Sequence, residues 1–321
     1  MTKASPFFTS LKELFAFLEL PEPKIAAANS RFSFLVSRHF ASKMEKGNPK
    51  DPLLCEVLPT DLENRLVEGF SDDPVGDAQS EIAPGILQKY QGRVLVEPTF
   101  ACSLHCRFCF RRAEPKQVRT DFFSLFDSWI SNAHDIHEVI LSGGDPMMLS
   151  KEKFELLLQI ILSKPHVQTL RIHSRVPVTY PQAMDPDKAN SLFEPLVRVL
   201  AQKKLVFVSH VDHPRELDSH SQRLFAELKK QGATLLNQTT LLKGVNDSAE
   251  TLSELSFGLF AQGVLPYYLH QLDRATGIAH FEVPDKKALQ IVEQIRESLP
   301  GYLVPRFVRE IAGEKSKTPL F

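Results

Sequence analysis

The 321-residue sequence has only four cysteines, almost no net charge and no long apolar run. Four cysteines, three of them clustered, do not make the disulfide framework of a small secreted protein. The formal net charge of -1 argues against broad electrostatic affinity for nucleic acid or acidic membranes. Neither a membrane span nor the apolar core of a signal peptide is visible, so we expect a cytoplasmic protein.

The apolar pattern divides the chain into three regions. Residues 1–90 are predicted to be mainly helical, 91–300 to alternate between strands and helices, and 301–321 to form a short C-terminal segment. In the first region the candidate helices span 10–20, 25–45 and 59–68. The acidic stretch 71–84 contains proline and glycine, which favours an exposed loop.

The middle region predicts a parallel α/β architecture, open or barrel-like. The candidate strands span 94–97, 138–142, 169–173, 205–210, 234–238 and 266–271. The candidate helices span 151–163, 190–202, 219–231 and 249–262. Polar residues and glycines follow the strand ends, and the carboxyl ends of parallel strands carry the active site in such proteins. We therefore expect these residues to meet at one edge of the sheet.

Three of the cysteines lie within eight residues, as Cys102, Cys106 and Cys109 in the pattern C-x3-C-x2-C. Thiolates at this spacing can surround one cuboidal [4Fe–4S] cluster, since thiolate is the ligand that iron–sulfur clusters require. A cube has four irons, so three cysteines leave one iron able to bind a small molecule. A structural zinc site is an alternative, with His105 or the remote Cys55 as the fourth ligand.

This pattern, placed after the first strand of the βα series, resembles the radical S-adenosylmethionine (SAM) superfamily. The residues Gly143, Gly144 and Asp145 follow the second strand and are similar to the motif that contacts the amino group of SAM. The resemblance implies a partial (β/α)6 barrel of the TIM type. It also implies that SAM binds the open iron and is cleaved by one electron to methionine and a 5′-deoxyadenosyl radical. Flavodoxin or ferredoxin is the generic electron donor.

Further segments, between residues 94 and 318, resemble lysine 2,3-aminomutases. The segments that carry this resemblance are 109–112, 141–145, 171–178, 210–214, 237–247 and 266–273. The resemblance implies that pyridoxal 5′-phosphate (PLP) is a second cofactor and that L-lysine becomes β-lysine. In that family the substrate forms an aldimine with PLP, the radical removes a β-hydrogen, and nitrogen moves to the β-carbon. Ser174, His210 and Gln238 match family residues near SAM.

The same resemblance assigns roles to single residues. Lys317 would carry PLP, with Lys315 as the second choice. Arg111 would bind the carboxylate of lysine, because its planar fork suits two oxygens. Asp273 and Glu310 would bind the distant ammonium, and Glu310 stands where the family has an aspartate.

The C-terminal end indicates one branch of the family. Only four residues follow Lys317, and segment 313–320 resembles the branch that makes (R)-β-lysine for attachment to elongation factor P by its lysyl ligase. We therefore expect β-lysine formation for that modification, in a protein that can form homo-oligomers. The alternatives are a free amino-acid 2,3-aminomutase of another pathway, a PLP-independent radical SAM enzyme and a zinc-stabilised binding module.

Overall fold

A computed structural model describes residues 5–23, 33–112 and 117–320. Its first part, residues 5–58, forms an N-terminal unit of short elements. These are β1 (Phe7–Phe8), α1 (Leu11–Phe17), β2 (Val36–Ser37), α2 (Arg38–Ala41) and α3 (Pro52–Cys55). Their apolar side chains form one core, which also includes Leu104 from the cysteine loop, residues 100–109. The N-terminal unit therefore packs directly against the segment that carries the three cysteines.

The helices of this first region are shorter than the sequence pattern predicts. Helix α1 lies inside the predicted range 10–20. The helix predicted over 25–45 falls partly outside the described residues, and from residue 33 onward the chain forms β2 and the four-residue α2 instead. Ser37 separates the two, because its backbone is extended and its hydroxyl caps α2 by accepting the backbone N–H of Phe40.

Two more predictions for this region differ from the structure. The helix predicted over 59–68 is a short 3-10 turn, Asp61–Asn64, because Glu63 turns inward to pair with the buried Arg107. The loop predicted over 71–84 contains regular structure. It holds α4 (Asp77–Ser80) and β3 (Glu81–Ala83).

The main sheet of the described chain has ten strands in the order β12-β11-β10-β9-β8-β7-β6-β5-β4-β3. After β3 they are β4 (Ile86–Leu87), β5 (Arg93–Thr99), β6 (Glu138–Gly143), β7 (Thr169–Ser174), β8 (Lys204–His210), β9 (Thr234–Thr240), β10 (Leu265–His270), β11 (Arg306–Arg309) and β12 (Thr318–Pro319). Strands β5 to β11 are parallel, each to the next one in the chain. The six predicted strands are β5 to β10.

Helices connect consecutive parallel strands. They are α5 (Phe122–Asn132), α6 (Lys151–Leu162), α7 (Val176–Thr179), α8 (Phe193–Leu200), α9 (Ser219–Lys230), α10 (Ala249–Ala261) and α11 (Asp285–Ser298). The four predicted helices correspond to α6, α8, α9 and α10. Because the spatial order of the parallel strands follows the chain order, the fold is the predicted partial barrel of the TIM type. Among the described helices, none is both long and apolar enough to cross a membrane.

Candidate active site

A cavity of about 510 Å³ is lined by the ends of the parallel strands and by the cysteine loop. Every residue that received a role in the predicted site lines this cavity. They are Cys102, Cys106, Cys109, Arg111, Gly143, Gly144, Asp145, Ser174, His210, Gln238, Asp273, Glu310 and Lys317. Lys315 is exposed and does not line the cavity. Residues that are more than 200 positions apart in the sequence are therefore brought to one place by the barrel.

The surroundings of the three cysteine thiols oppose their ionisation. Burial raises the pKa of all three, in the case of Cys106 to about 12. In the described chain, no group of possible metal ligands within 4.8 Å of one another includes the three sulfurs. A tetrahedral zinc ion with bonds of about 2.3 Å would hold its sulfurs about 4 Å apart. The three sulfurs are therefore not arranged around a single zinc ion.

The two candidates for a fourth zinc ligand lie outside the cavity. His105 turns away from it, and its Nδ1 atom is 3.0 Å from the backbone oxygen of Ser33. Cys55 is half-buried and packs beside an apolar cluster that includes Phe108. The donor set that faces the cavity in this loop is therefore the three predicted cysteines.

The glycine pair holds the cysteine loop against β6. The backbone N–H of Gly144 donates to the oxygen of Thr99 at 2.8 Å. A Cβ atom on Gly144 would lie 2.6 Å from the oxygen of Ala101, and one on Gly143 would lie 2.8 Å from the Cβ of Glu97. The glycines thus let the chain approach itself closely, as well as exposing backbone to the cavity.

Asp145 joins the ends of β6 and β7. Its carboxylate accepts the hydroxyl of Ser174 at 2.8 Å and the backbone N–H groups of Arg175 and Met147 at 2.8 and 3.0 Å. Burial raises the pKa of Asp145, although these donors act in the opposite direction. Asp145 and Ser174 therefore order the cavity wall through contacts with each other.

His210 and Gln238 are direct neighbours on β8 and β9. The Nε2 atom of His210 is 3.0 Å from a carboxylate oxygen of the buried Asp212. That carboxylate also accepts the backbone N–H of Thr240 at 2.7 Å. Burial acts to raise the pKa of Asp212, but His210, Arg175 and the N–H group of Thr240 together lower it. His210 is thereby held at a fixed place on the cavity wall.

At the opposite end of the cavity, Lys317 forms an ion pair with the carboxylate of Glu310. The Nζ atom of Lys317 is 2.7 Å from Oε2 of Glu310, and the hydroxyl of Tyr90 donates to Oε1 at 2.6 Å. Lys89 lies 3.9 Å from the same carboxylate. Burial acts to raise the pKa of Glu310, but Lys317 and the other donors lower it below its usual value. Glu310 is therefore a charged acceptor for cations in the cavity.

Proteins of similar sequence decide the family. The L-lysine 2,3-aminomutase of Escherichia coli (strain K12) is 40% identical in an alignment of 330 positions, which covers 100% of this chain and 94% of that protein. The L-lysine 2,3-aminomutase of Haemophilus influenzae is 41% identical over 313 residues, 96% of this chain and 91% of that protein. This chain belongs to the L-lysine 2,3-aminomutase family. The resemblance seen in the sequence is confirmed.

Other comparisons add nothing to the assignment to the lysine 2,3-aminomutase family. No protein-family model matches the chain. A radical SAM methyltransferase from Sphaerobacter thermophilus has a TM-score of 0.47 and 16% identity, over 70% of this chain and 68% of that one.

In this member of the lysine 2,3-aminomutase family, Arg111 is already held by acids of its own chain. Its Nε atom donates to Glu97 at 3.0 Å, and its Nη2 atom is 3.5 Å from Asp77. The guanidinium lies over the ring of Phe110 at 4.3 Å. Two carboxylates of the same chain therefore orient this guanidinium.

Asp273 differs from Glu310 in its surroundings. Burial raises the pKa of Asp273 to about 6, against the opposing charge of Lys317. Its Oδ1 atom has no hydrogen-bond partner among the described residues. The cavity of this lysine 2,3-aminomutase family member thus offers one satisfied carboxylate and one with unused acceptor capacity.

The residues predicted from the sequence did not include a group of cationic and aromatic residues that also line the cavity. These are Lys89, Tyr90, Arg93, Arg171, His173, Tyr267, Tyr268, His270 and Arg306. In β7 the signal is visible in the sequence, since Arg171 and His173 alternate with the fully buried Leu170 and Ile172. Alternation along a strand places the two polar side chains on the same face.

Proposed function

We propose that this protein isomerises L-lysine to β-lysine, with a [4Fe–4S] cluster, SAM and PLP as cofactors. One observation carries the proposal: a single cavity joins three cysteine thiols to Lys317 and to two carboxylates. The reaction needs a radical source, a lysine for PLP and acceptors for an ammonium group, and the cavity contains residues of each kind. The names of the most similar relatives support the same reaction.

The cysteine loop is the proposed place of the cluster. Cys102, Cys106 and Cys109 would hold three irons and leave the fourth to the amino and carboxylate groups of SAM. SAM on the reduced cluster supplies a carbon radical. The chain contributes the fixed cavity wall that includes His210 and Gln238.

The residues around Lys317 fit PLP. Lys317 lies in the cavity with its Nζ atom 5.7 Å from the ring centre of Tyr268, against which a pyridine ring could pack. Lys89, Arg93 and Arg306 line the same wall and would offset the charge of a phosphate. PLP supplies the π system through which an amino group can move between neighbouring carbons.

Charges along the cavity suit the substrate L-lysine. Arg111 would bind its carboxylate, while Glu310 and Asp273 would bind its distant ammonium. The ammonium of Lys317 itself shows that Glu310 accepts such a group, at 2.7 Å. When Lys317 is engaged by PLP, this acceptor becomes available to the substrate.

We further propose that the product is the R form and serves the modification of elongation factor P. The tail segment 313–320 supports this, because it resembles the branch of the family with that role. Chiral chromatography of the product tests the stereochemistry. Mass analysis of elongation factor P, incubated with its lysyl ligase and the product, tests the destination. The S form, or a product that the ligase does not attach, would contradict this part.

The central test compares two lysines of the tail, Lys317→Ala and Lys315→Ala. Each variant is reconstituted anaerobically with iron and sulfide and incubated with L-lysine, SAM, PLP and a reductant. We expect Lys317→Ala to lose both β-lysine formation and the visible absorbance of bound PLP. Lys315→Ala should keep both, because this exposed side chain lies outside the cavity.

Three results would contradict the proposal. A parent protein that forms no β-lysine with all cofactors present would contradict the reaction. Absence of a PLP absorbance band in an active parent would favour a PLP-independent radical SAM enzyme. Zinc without iron and sulfide in the purified protein would favour a metal-stabilised binding module.

A further inference from the structure

We propose that Arg175 is a positioning residue that raises the reduction potential of the cluster through a hydrogen bond to the sulfur of Cys106. The inference rests on the proposed cluster and adds a residue that acts on it through a ligand. Arg175 follows β7 directly and is 7% exposed. Its Nη1 atom lies 2.9 Å from the Sγ atom of Cys106.

Two buried glutamates determine where this guanidinium points. Glu216 accepts from Nη2 at 2.9 Å and from Nε at 3.3 Å. Glu56, from the N-terminal unit, accepts a short hydrogen bond from Nη2. These contacts engage Nε and Nη2 on one side of the planar guanidinium. The remaining nitrogen, Nη1, faces Cys106.

Two aromatic rings and the backbone also restrain Arg175. The rings of Phe40 and Phe108 lie 5.3 and 5.7 Å from the guanidinium carbon. The backbone N–H of Arg175 donates to Asp145 at 2.8 Å. The side chain is therefore preorganised toward the sulfur, and does not have to leave a solvated position to reach it.

Cys106 differs from the other two cysteines because the group that donates a hydrogen bond to its sulfur is charged. Backbone N–H groups of Asp145 and Arg111 act on Cys102 and Cys109. Among the described residues, Arg175 is the charged side chain that donates a hydrogen bond to one of these sulfurs, that of Cys106. Arg175 would thus act on one corner of the cluster.

The expected effect follows from the charge that the cluster gains on reduction. An added electron increases the negative charge on the sulfurs, so an N–H donor stabilises the reduced form more than the oxidised form. Two fully buried carboxylates beside Arg175, Asp212 and Glu216, would by themselves oppose reduction. Arg175 offsets them at the point nearest to the cluster.

The test is a redox titration of the reconstituted, SAM-free protein, followed by the electron paramagnetic resonance signal of the reduced cluster. We expect Arg175→Gln to lower the midpoint potential and Arg175→Lys to lower it less. Lysine keeps the charge but has no planar fork to meet Cys106 and both glutamates at once. Arg198→Gln is the matched control, since it removes a half-exposed arginine paired with Glu155, and should leave the potential unchanged.

The outcomes separate this inference from the proposed function. If Arg175→Gln does not fold, as judged by circular dichroism, Arg175→Lys decides. An unchanged midpoint potential in Arg175→Gln, or in Arg175→Lys where Arg175→Gln does not fold, with equal iron and sulfide content, would overturn the role of Arg175 and leave the proposed function intact. A parent protein that binds no iron and sulfide would overturn the proposed function, and this inference with it.

Discussion

Asp273 and Glu310 are two carboxylates of one cavity with opposite pKa shifts. Burial dominates at Asp273 and raises its pKa to about 6. At Glu310 the contacts with Lys317 and Tyr90 outweigh burial and lower the pKa. The difference comes from hydrogen-bond partners, because one oxygen of Asp273 lacks a partner among the described residues. At neutral pH both can bind a cation, but only Asp273 titrates near physiological pH.

We predict that Asp273→Asn changes the pH dependence of stability. The pKa of Asp273 in the folded protein, about 6, lies above its unfolded value of about 3.9. Its contribution to stability is therefore complete at pH values below the unfolded pKa and is lost as the pH rises through about 6. Between about pH 5 and pH 8 the parent should lose roughly 1 kcal/mol relative to Asp273→Asn.

Urea unfolding of the parent and of Asp273→Asn at several pH values measures this difference. The free energies of unfolding should converge toward low pH and separate as the pH rises. A difference that stays constant from pH 5 to pH 8 would show that burial does not shift the Asp273 carboxyl as described.

At the scale of elements, the glycine pair shows how a turn can position the cysteine loop. The end of β6 lies so close to residues 99–101 that a side chain on Gly144 would overlap backbone atoms. Two backbone hydrogen bonds hold these segments together, from Gly144 to Thr99 and from Asp145 to Ala101, each 2.8 Å long. The position of Cys102 therefore depends on the absence of a side chain in the next strand–loop connection.

We predict that Gly144→Ala destabilises the protein and impairs cluster assembly, whereas Gly301→Ala does neither. A Cβ atom on Gly144 meets backbone carbon and oxygen at 2.6 Å, while one on Gly301 meets nothing within 4 Å. Backbone cannot move aside as a flexible side chain can, so we expect a cost of about 1–3 kcal/mol at Gly144. Urea unfolding and the iron content after reconstitution measure the two effects. Equal iron content in both variants would contradict the role of this turn.

The barrel could be predicted from the sequence because its signals are local. Strands β5 to β10 show apolar runs bounded by turn residues, and each structural strand lies within two residues of its prediction. The strands β3, β4 and β12, at the two ends of the sheet, are two or three residues long, which is too short for a periodic signal. In the first 90 residues, the contact of Glu63 with the distant Arg107 determines the local structure, and no local sequence pattern contains this contact.

The candidate site divides in the same way. The cysteines could be found from their spacing, and the glycine pair and Lys317 from the resemblance to a known family, although their roles stay predictions. The contact of Arg175 with Cys106 joins residues 69 positions apart, and Glu56 reaches Arg175 across 119 positions. Such contacts depend on how the barrel, the cysteine loop and the N-terminal unit pack together, which sequence pattern does not encode.

At the scale of the whole molecule, the N-terminal unit and the barrel share the cysteine loop. The backbone N–H of His105 donates to the oxygen of Leu35 at 2.9 Å, and that of Arg107 donates to Glu56 at 2.7 Å. Lys43 donates to the backbone oxygen of Val178 at 2.8 Å. The unit therefore covers one side of the loop that would hold the cluster, and its integrity should control access of oxygen to that cluster.

Leu14→Ala and Leu66→Ala test this control. Leu14 is fully buried in the core of the N-terminal unit, whereas Leu66 is 90% exposed. Removing the buried side chain should cost about 2–5 kcal/mol, because the surrounding core relaxes only partly, and the exposed change should cost little. A loosened unit should also speed the loss of the visible cluster absorbance in air, so Leu14→Ala should bleach faster than Leu66→Ala and the parent. If Leu14→Ala lowers the free energy of unfolding but bleaches at the parent rate, the N-terminal unit stabilises the fold without shielding the cluster.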